Sequence, residues 1–326
     1  MRAQGAAGAP GAADVAESAR GAGGVGIAIP KDMPFTKILC PTDFSPGAHP
    51  ALRLGARLAA GSGAELVVAH VWHTPAFAFG GGDPFPAEAI ARMVKDREHQ
   101  LAAATDLAAK AGAPRVTSRF LTGTPWDEIV KAAQADPAID LIVTGTHGRT
   151  GVVRMLLGSV TERVIRHAPC SVLAARPTQD AGFHHVLCPV DFSDTARLAV
   201  DRAAELAAAG GAGIVLLHVI ELPIAYNGEP SVTPFLDDIE RRTQEVLAAW
   251  AAELITKVKV PVRTELRIGN PALQALSMLD HDPTIDLVVV GSHGRTGIRR
   301  ALLGSVAETI VRHATRPVLV ARPRAA

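Results

Sequence analysis

DLIVTGTHGRTG, residues 140–151, returns as DLVVVGSHGRTG at residues 286–297. Each copy is a short, β-branched apolar run that stops at a glycine-punctuated turn. A run of this length without polar alternation reads as a strand covered on both faces. Glycine directly after it permits positive φ and close approach of backbone amides to a neighbour or a ligand. One copy would be unremarkable turn chemistry. Two copies, offset by 146 residues, raise the question of a repeated domain.

The flanking sequence answers it. KILCPTDFS (37–45) matches HVLCPVDFS (185–193), pairing Asp43 with Asp191. ELVVAHV (65–71) matches GIVLLHVI (213–220), pairing His70 with His218. GTPWDEIVKAA (123–133) matches GNPALQALSML (269–279), and SVLAAR (171–176) matches PVLVAR (317–322). Order and spacing persist through both halves, so the chain carries one domain twice. The expected bounds are 33–177 and 183–323, joined through PTQDAG. Residues 1–32, rich in Ala and Gly, have too few large apolar groups to offset their ordering entropy and read as a disordered tail.

Within each half, short apolar runs alternate with helical patterns. KILCPTD, ELVVAHVW, RVTSRFLTG, DLIVTG and SVLAAR read as strands, with nearly continuous apolar character. PALRLGARLAA, the long stretch from Glu88 to Gly112 and WDEIVKAAQ read as helices, the last starting after Pro125. Alternation of this kind implies an α/β fold. Two tandem doubly wound domains are expected, each a five-stranded parallel sheet with helices on both faces.

Ligands of such sheets sit beyond the carboxyl ends of the strands. Gly145 and Gly148 follow one strand there, and Gly291 and Gly294 the other. Gly158-Ser159 and Gly304-Ser305 come next, each opening a helical stretch. Ser159 with Glu162, and Ser305 with Glu308, have the spacing of a capping box, with serine as N-cap. Successive turn amides form anion-binding nests, and a helix N-terminus suits phosphate. For any single glycine, turn chemistry alone would explain the residue. The full set G-x2-G-x9-G-S in both halves favours two sites for a polyanion. No Gly-Lys pair occurs, so there is no Walker A loop, and no G-x-G-x-x-G follows a strand.

These residues together resemble the universal stress protein family: G-x2-G-x9-G-S after strand four, Asp within PTDFS or PVDFS ending strand one, and HV closing strand two. The resemblance covers both halves and points to the ATP-binding branch in tandem form. It implies strand order 3-2-1-4-5 and roles for the matched positions. Asp43 and Asp191 would contact adenosine, with Pro41, Thr42, Pro189 and Val190 lining that wall. The backbone of Val71 and Val219 would meet the adenine edge. Gly145, Gly148, Gly158, Ser159 and Val160 would hold ribose and phosphates, as would Gly291, Gly294, Gly304, Ser305 and Val306. Arg149 and Arg295 could pair with a γ-phosphate or lie in solvent. His147 and His293 could touch phosphate or leave that to the backbone. Mg2+ or Mn2+ would be carried by the phosphates. Strand five of each half would pair across a two-fold, making an intramolecular pseudo-dimer that could form a homodimer in turn.

Several classes are disfavoured. Aromatics are 4% and the net charge is +1, so neither stacking platforms nor a basic face points to nucleic acid or membrane. No apolar run approaches the roughly 18 residues of a span. Three cysteines, Cys40, Cys170 and Cys188, make no disulfide framework and fit a reducing cytoplasm. His70 and His73 form H-x-x-H, but His73 has no counterpart in the second half and no third ligand is nearby, so no protein-held metal is expected. The loop TPAFAFGGGDPFP (74–86) could lie over the first pocket or be ordinary surface. The expected function is an ATP-binding stress-response regulator in which nucleotide tunes assembly or partner choice. The alternatives are a slow ATPase or nucleotidyl-transfer enzyme, and a scaffold with empty pockets.

Overall fold

The structure is a computed structural model describing residues 35–73, 86–146, 157–176, 183–221, 233–294 and 303–323. The tail, nearly all of the 74–86 loop and the linker lie outside the described residues. The first half runs β1 (Lys37–Pro41), α1 (His49–Ser62), β2 (Glu65–Trp72), α2 (Ala87–Lys110), β3 (Arg115–Thr122), α3 (Pro125–Ala135), β4 (Ile139–Gly145), α4 (Ser159–His167) and β5 (Ser171–Ala175). The second runs β6 (His185–Pro189), α5 (Asp194–Gly210), β7 (Gly213–Ile220), α6 (Thr233–Val258), β8 (Val262–Ile268), α7 (Pro271–His281), β9 (Ile285–Gly291), α8 (Ser305–His313) and β10 (Val318–Ala321).

The strands form one ten-stranded sheet, β3-β2-β1-β4-β5-β10-β9-β6-β7-β8. Each half has the order 3-2-1-4-5, and every pairing within a half is parallel. Two apolar layers cover the sheet and run through both halves. Leu52, Leu101, Ala203 and Leu247 bring α1, α2, α5 and α6 onto one face. Ile129, Val164, Ala275 and Ile310 bring α3, α4, α7 and α8 onto the other. The three cysteines are buried in these layers. Burial raises the thiols of Cys40 and Cys170 to about 12 and pushes up that of Cys188. The outermost strands differ from the sequence reading. RVTSRFLT is β3, an edge strand with mostly half-exposed or exposed residues, not a strand covered on both faces. Arg115 and Arg119 keep that edge charged, which discourages pairing with another chain.

Two close contacts fix the crevices and the join between the halves. At the first, the end of β4 lies almost against the backbone that opens α1. A Cβ on Gly145 would sit 2.6 Å from the Gly47 carbonyl oxygen; on Gly291 it would sit 2.8 Å from that of Thr195. Real carbon atoms do not approach backbone so closely, so only glycine allows these elements to pack.

The second is the seam between the halves. β5 and β10 pair antiparallel, with Val172 opposite Val320, Leu173 opposite Leu319 and Ala174 opposite Val318. The arginine after each strand then crosses over. Arg176 donates to the carbonyls of Val311 (2.8 Å) and Arg312 (3.3 Å) at the end of α8. Arg322 donates to Ile165 (2.7 Å) and Arg166 (2.9 Å) at the end of α4. Both arginines are buried. Each supplies a helix C-terminus with the donors and positive charge its last carbonyls lack. Beside them, Arg166 meets Glu162 and Glu308 at 3.0 Å each, and Arg312 meets Glu308 at 3.1 Å. These partly exposed pairs contribute little individually; the buried arginine caps contribute more.

Both contacts can be tested through stability. Gly145→Ala and Gly291→Ala, without any ligand, should each cost about 1–3 kcal/mol in chemical denaturation, the usual penalty of overpacking. Arg176→Met and Arg322→Met should each cost about 2 kcal/mol, the scale of buried charge-assisted hydrogen bonds. Losses below about 0.5 kcal/mol, the range of neutral surface substitutions, would contradict the packing described.

Candidate functional site

In both halves β1 or β6 ends one residue short of a sharp, reinforced turn. Thr42 N–H still donates to Ala69 O of β2 (2.8 Å), and Val190 N–H to Leu217 O of β7 (2.8 Å). The chain then turns at Asp43 and Asp191. One oxygen of Asp43 accepts from Ser45 N–H (3.0 Å) and Ser45 Oγ (2.6 Å); Asp191 does the same with Ser193 (3.1 and 2.6 Å). These bonds fix the carboxylate on its own loop. The next residue carries backbone strain: Phe44 has φ 64° and Phe192 φ 62°, a region bulky side chains seldom adopt.

Histidine holds this strained turn in place. Phe44 stacks on His70 at 4.3 Å, and Phe192 on His218 at 4.5 Å. His70 Nδ1 donates to Thr42 O (2.8 Å), and His218 Nδ1 to Val190 O (2.7 Å). A carbonyl only accepts, so Nδ1 carries the proton in both rings. The repeated Phe and His were visible in PTDFS, PVDFS and the two HV pairs, but their pairing needs the sheet register. The H-x-x-H spacing is thus a structural fastening at His70, while His73 Nδ1 contacts Gly123 O at 3.2 Å. Among the described residues no group of three or more His, Cys, Asp or Glu could hold a metal ion.

Beside the turn, β2 outruns β1. Trp72 O accepts from Gly123 N–H on the β3 side, while Ala69 O faces β1. Backbone groups alternate sides along a strand, so the N–H and C=O of Val71 face the β1 side, where that strand has ended. A continuing ladder would bring Phe44 N–H to Val71 O. Instead Phe44 N–H donates to Thr42 Oγ1 (3.0 Å). Val219 has the same station: Leu217 O faces β6 and Ile220 O accepts from Gly269 N–H on the other side. One donor and one acceptor therefore border the crevice in each half.

The opposite wall is the glycine segment. Gly158 N–H donates to Thr146 O (2.8 Å), and Gly304 N–H to Ser292 O (2.9 Å). These bonds close the loop, so its two ends lie side by side at the mouth of β4 or β9. Three expectations change here. Gly145, Gly158, Gly291, Gly294 and Gly304 do not have positive φ. Gly145 and Gly291 are required by packing against α1 and α5. At Gly294 a Cβ would come within 2.8 Å of Asp191 Oδ2, so this glycine lets the turn rest on the carboxylate. Second, the N-caps of α4 and α8 are Gly158 and Gly304, not the serines. Ser159 and Ser305 are the first helical residues and are exposed, with Val160 and Val306 half-buried behind them. Third, Glu162 and Glu308 make no capping box. They join the ion pairs across the seam, one turn away.

Gly148, Arg149 and Arg295 lie outside the described residues, as does His147. Pro41 and Pro189 end β1 and β6, and the buried Thr42 and Val190 follow them directly before Asp43 and Asp191. The crevice of each half therefore has a fixed carboxylate, a peptide edge, and a helix start whose first amides have no partner within the helix. It opens between β1 and β4, or β6 and β9, where the strand order reverses and crevices form in open α/β sheets. That arrangement sets hydrogen-bond acceptors, a peptide edge and helix-start amides at one end of the sheet in each half.

Known proteins share this doubled design. The model of the Universal stress protein family matches residues 34–176 and again 182–322. A universal stress protein of Mycolicibacterium smegmatis is 28% identical over 295 residues, spanning 88% of this chain and 97% of its own. One from Mycobacterium tuberculosis is 31% identical over 254 residues, spanning 73% and 81%. Among solved structures, a universal stress protein from Archaeoglobus fulgidus superposes with TM-score 0.62 at 23% identity, covering 88% of this chain and 98% of its own; at that identity the likeness concerns the fold. The two strand orders and the doubled crevice agree with the doubled match. The chain belongs to the universal stress protein family, a stress-response family, and carries its domain twice.

Proposed function

We propose that each half binds one adenine nucleotide, ATP with Mg2+ or Mn2+ on its phosphates, and that occupancy tunes assembly or partner choice in a cytoplasmic stress response. The observation that supports this reading is the convergence, in both halves, of three features at one switch point: the Asp43 or Asp191 turn, the Val71 or Val219 peptide edge, and the start of α4 or α8. The peptide edge offers one donor and one acceptor, which complements the ring nitrogen and exocyclic amine of adenine. The carboxylate accepts from ribose hydroxyls. The first amides of α4 and α8, with Ser159 and Ser305, donate to phosphate oxygens at the positive end of the helix dipole. Arg149 and Arg295 directly follow Gly148 and Gly294 in sequence and are the proposed partners of a terminal phosphate.

The roles separate by ligand. Titrated calorimetrically with ATP·Mg2+, the full chain should take up two equivalents. Ser159→Ala and Ser305→Ala should each weaken ATP in their own half by about tenfold or more, on the scale of a hydrogen bond to a charged group, while adenosine affinity stays the same. Asp43→Ala and Asp191→Ala should weaken ATP and adenosine alike, each in its own half. Failure of the wild-type chain to bind ATP would refute the proposal. So would equal loss of adenosine in the serine variants. Steady release of phosphate during the titration would make the chain an ATPase instead.

A further inference from the structure

We infer that the two nucleotide sites are coupled across the seam, so that filling one tightens the other, and that Arg176 and Arg322 are the positioning residues that carry the coupling. This rests on the proposed nucleotide binding and adds a link between its two sites. Each arginine belongs by its backbone to one crevice and by its side chain to the other.

Arg322 shows the arrangement. It directly follows β10, whose last residue, Ala321, is paired with Gly291 of β9. Gly291 is the residue whose missing Cβ lets the second crevice form. The Arg322 guanidinium leaves that half and donates to Ile165 O (2.7 Å) and Arg166 O (2.9 Å) at the end of α4. α4 in turn starts at Gly158-Ser159, the proposed phosphate end of the first crevice. Arg176 makes the reverse path. Its predecessor Ala175 ends β5 and is paired with Gly145 of β4, at the first crevice. Its guanidinium holds Val311 O (2.8 Å) and Arg312 O (3.3 Å), and α8 leads back to Gly304-Ser305 at the second. The two paths match in residue type, strand register and bond, so each site acts on the other, as linkage requires.

These paths are stiff. Ala175, Ala321, Val164, Ile165, Ile310 and Val311 are at most 1% exposed, and both arginines are buried. Arg322 N–H is also tied to Ser171 Oγ at the start of β5 (3.2 Å). Interiors packed in this way transmit a displacement. The ion pairs Arg166–Glu308 (3.0 Å) and Arg312–Glu162 (3.7 Å) cross the seam too, but they are partly exposed and screened by water. The buried caps are the stronger link. A nucleotide on the amides that open α4 fixes that helix along its length. Through Arg322 this fixes the end of β10 and the Gly291 strand end beside it. The second site then meets its ligand on an ordered frame, with a smaller ordering cost.

Native mass spectrometry of the full chain with ATP and Mg2+ reads the bare, singly loaded and doubly loaded species together. In the wild type the doubly loaded species should exceed what any two independent sites allow by about fivefold, the lower end of usual site-to-site coupling. Arg176→Met with Arg322→Met should bring it down to the independent limit while both sites still fill. Glu162→Gln with Glu308→Gln, which removes the ion pairs alone, should keep the excess. Independent filling of the wild type, or a depleted doubly loaded species, would overturn the inference whatever the variants do. So would an excess that survives in the methionine chain or disappears in the glutamine chain. A wild-type chain that stays bare would instead overturn the nucleotide reading and this inference with it.

Discussion

The end of β4 and the start of α1 can share space only because Gly145 has no side chain, and β9 and α5 repeat that condition at Gly291. A single methyl group there would overlap a backbone carbonyl, which cannot swing aside like the tip of a long side chain. Everything at the candidate site hangs on this approach. In the second half it sets the Asp191 turn and the glycine turn on adjacent strands at contact distance, with Gly294 resting against Asp191. Strain is accepted nearby for the same end. Phe44 and Phe192 adopt positive φ, and a histidine holds each by stacking and by one hydrogen bond to the preceding turn.

The seam gives the two sites a common frame. β5 and β10 turn two five-stranded sheets into one and leave the charged strands β3 and β8 at the outer edges. Helices α4 and α8 link crevice to seam. Each begins at the glycine-serine start where phosphate would lie and ends on an arginine from the opposite half. At nine residues, each is about 13 Å long. The ion pairs among Glu162, Arg166, Glu308 and Arg312 lie between those ends. The two crevices are therefore built on elements that the other half completes.

Much of this was legible in the residues. The doubled apolar runs and helical patterns were enough for the α/β class and the duplication, and the likeness of PTDFS, HV and G-x2-G-x9-G-S to a known family supplied the strand order. What could not be read locally depended on long-range contact. Ser159 has the spacing of an N-cap, but the preceding glycine holds that position, which moves the serine into the helix and Glu162 into the seam. Glycine in a turn suggested positive φ, whereas Gly145 and Gly291 answer to a neighbouring backbone roughly a hundred residues away in sequence. RVTSRFLT looked like its fellow strands, yet its place at the sheet edge leaves it half-exposed. Arg176 and Arg322 repeat visibly at the ends of SVLAAR and PVLVAR, but nothing near them in sequence marks the helix ends they cap.

If each half is a nucleotide site, occupancy is the most direct test of it. Native mass spectrometry of the intact chain, purified and then equilibrated with ATP and Mg2+, counts bound ligands without depending on any variant. The predicted spectrum contains a species carrying two adenine nucleotides per chain, with a singly loaded species on dilution. A chain that remains bare across the ATP titration would contradict it.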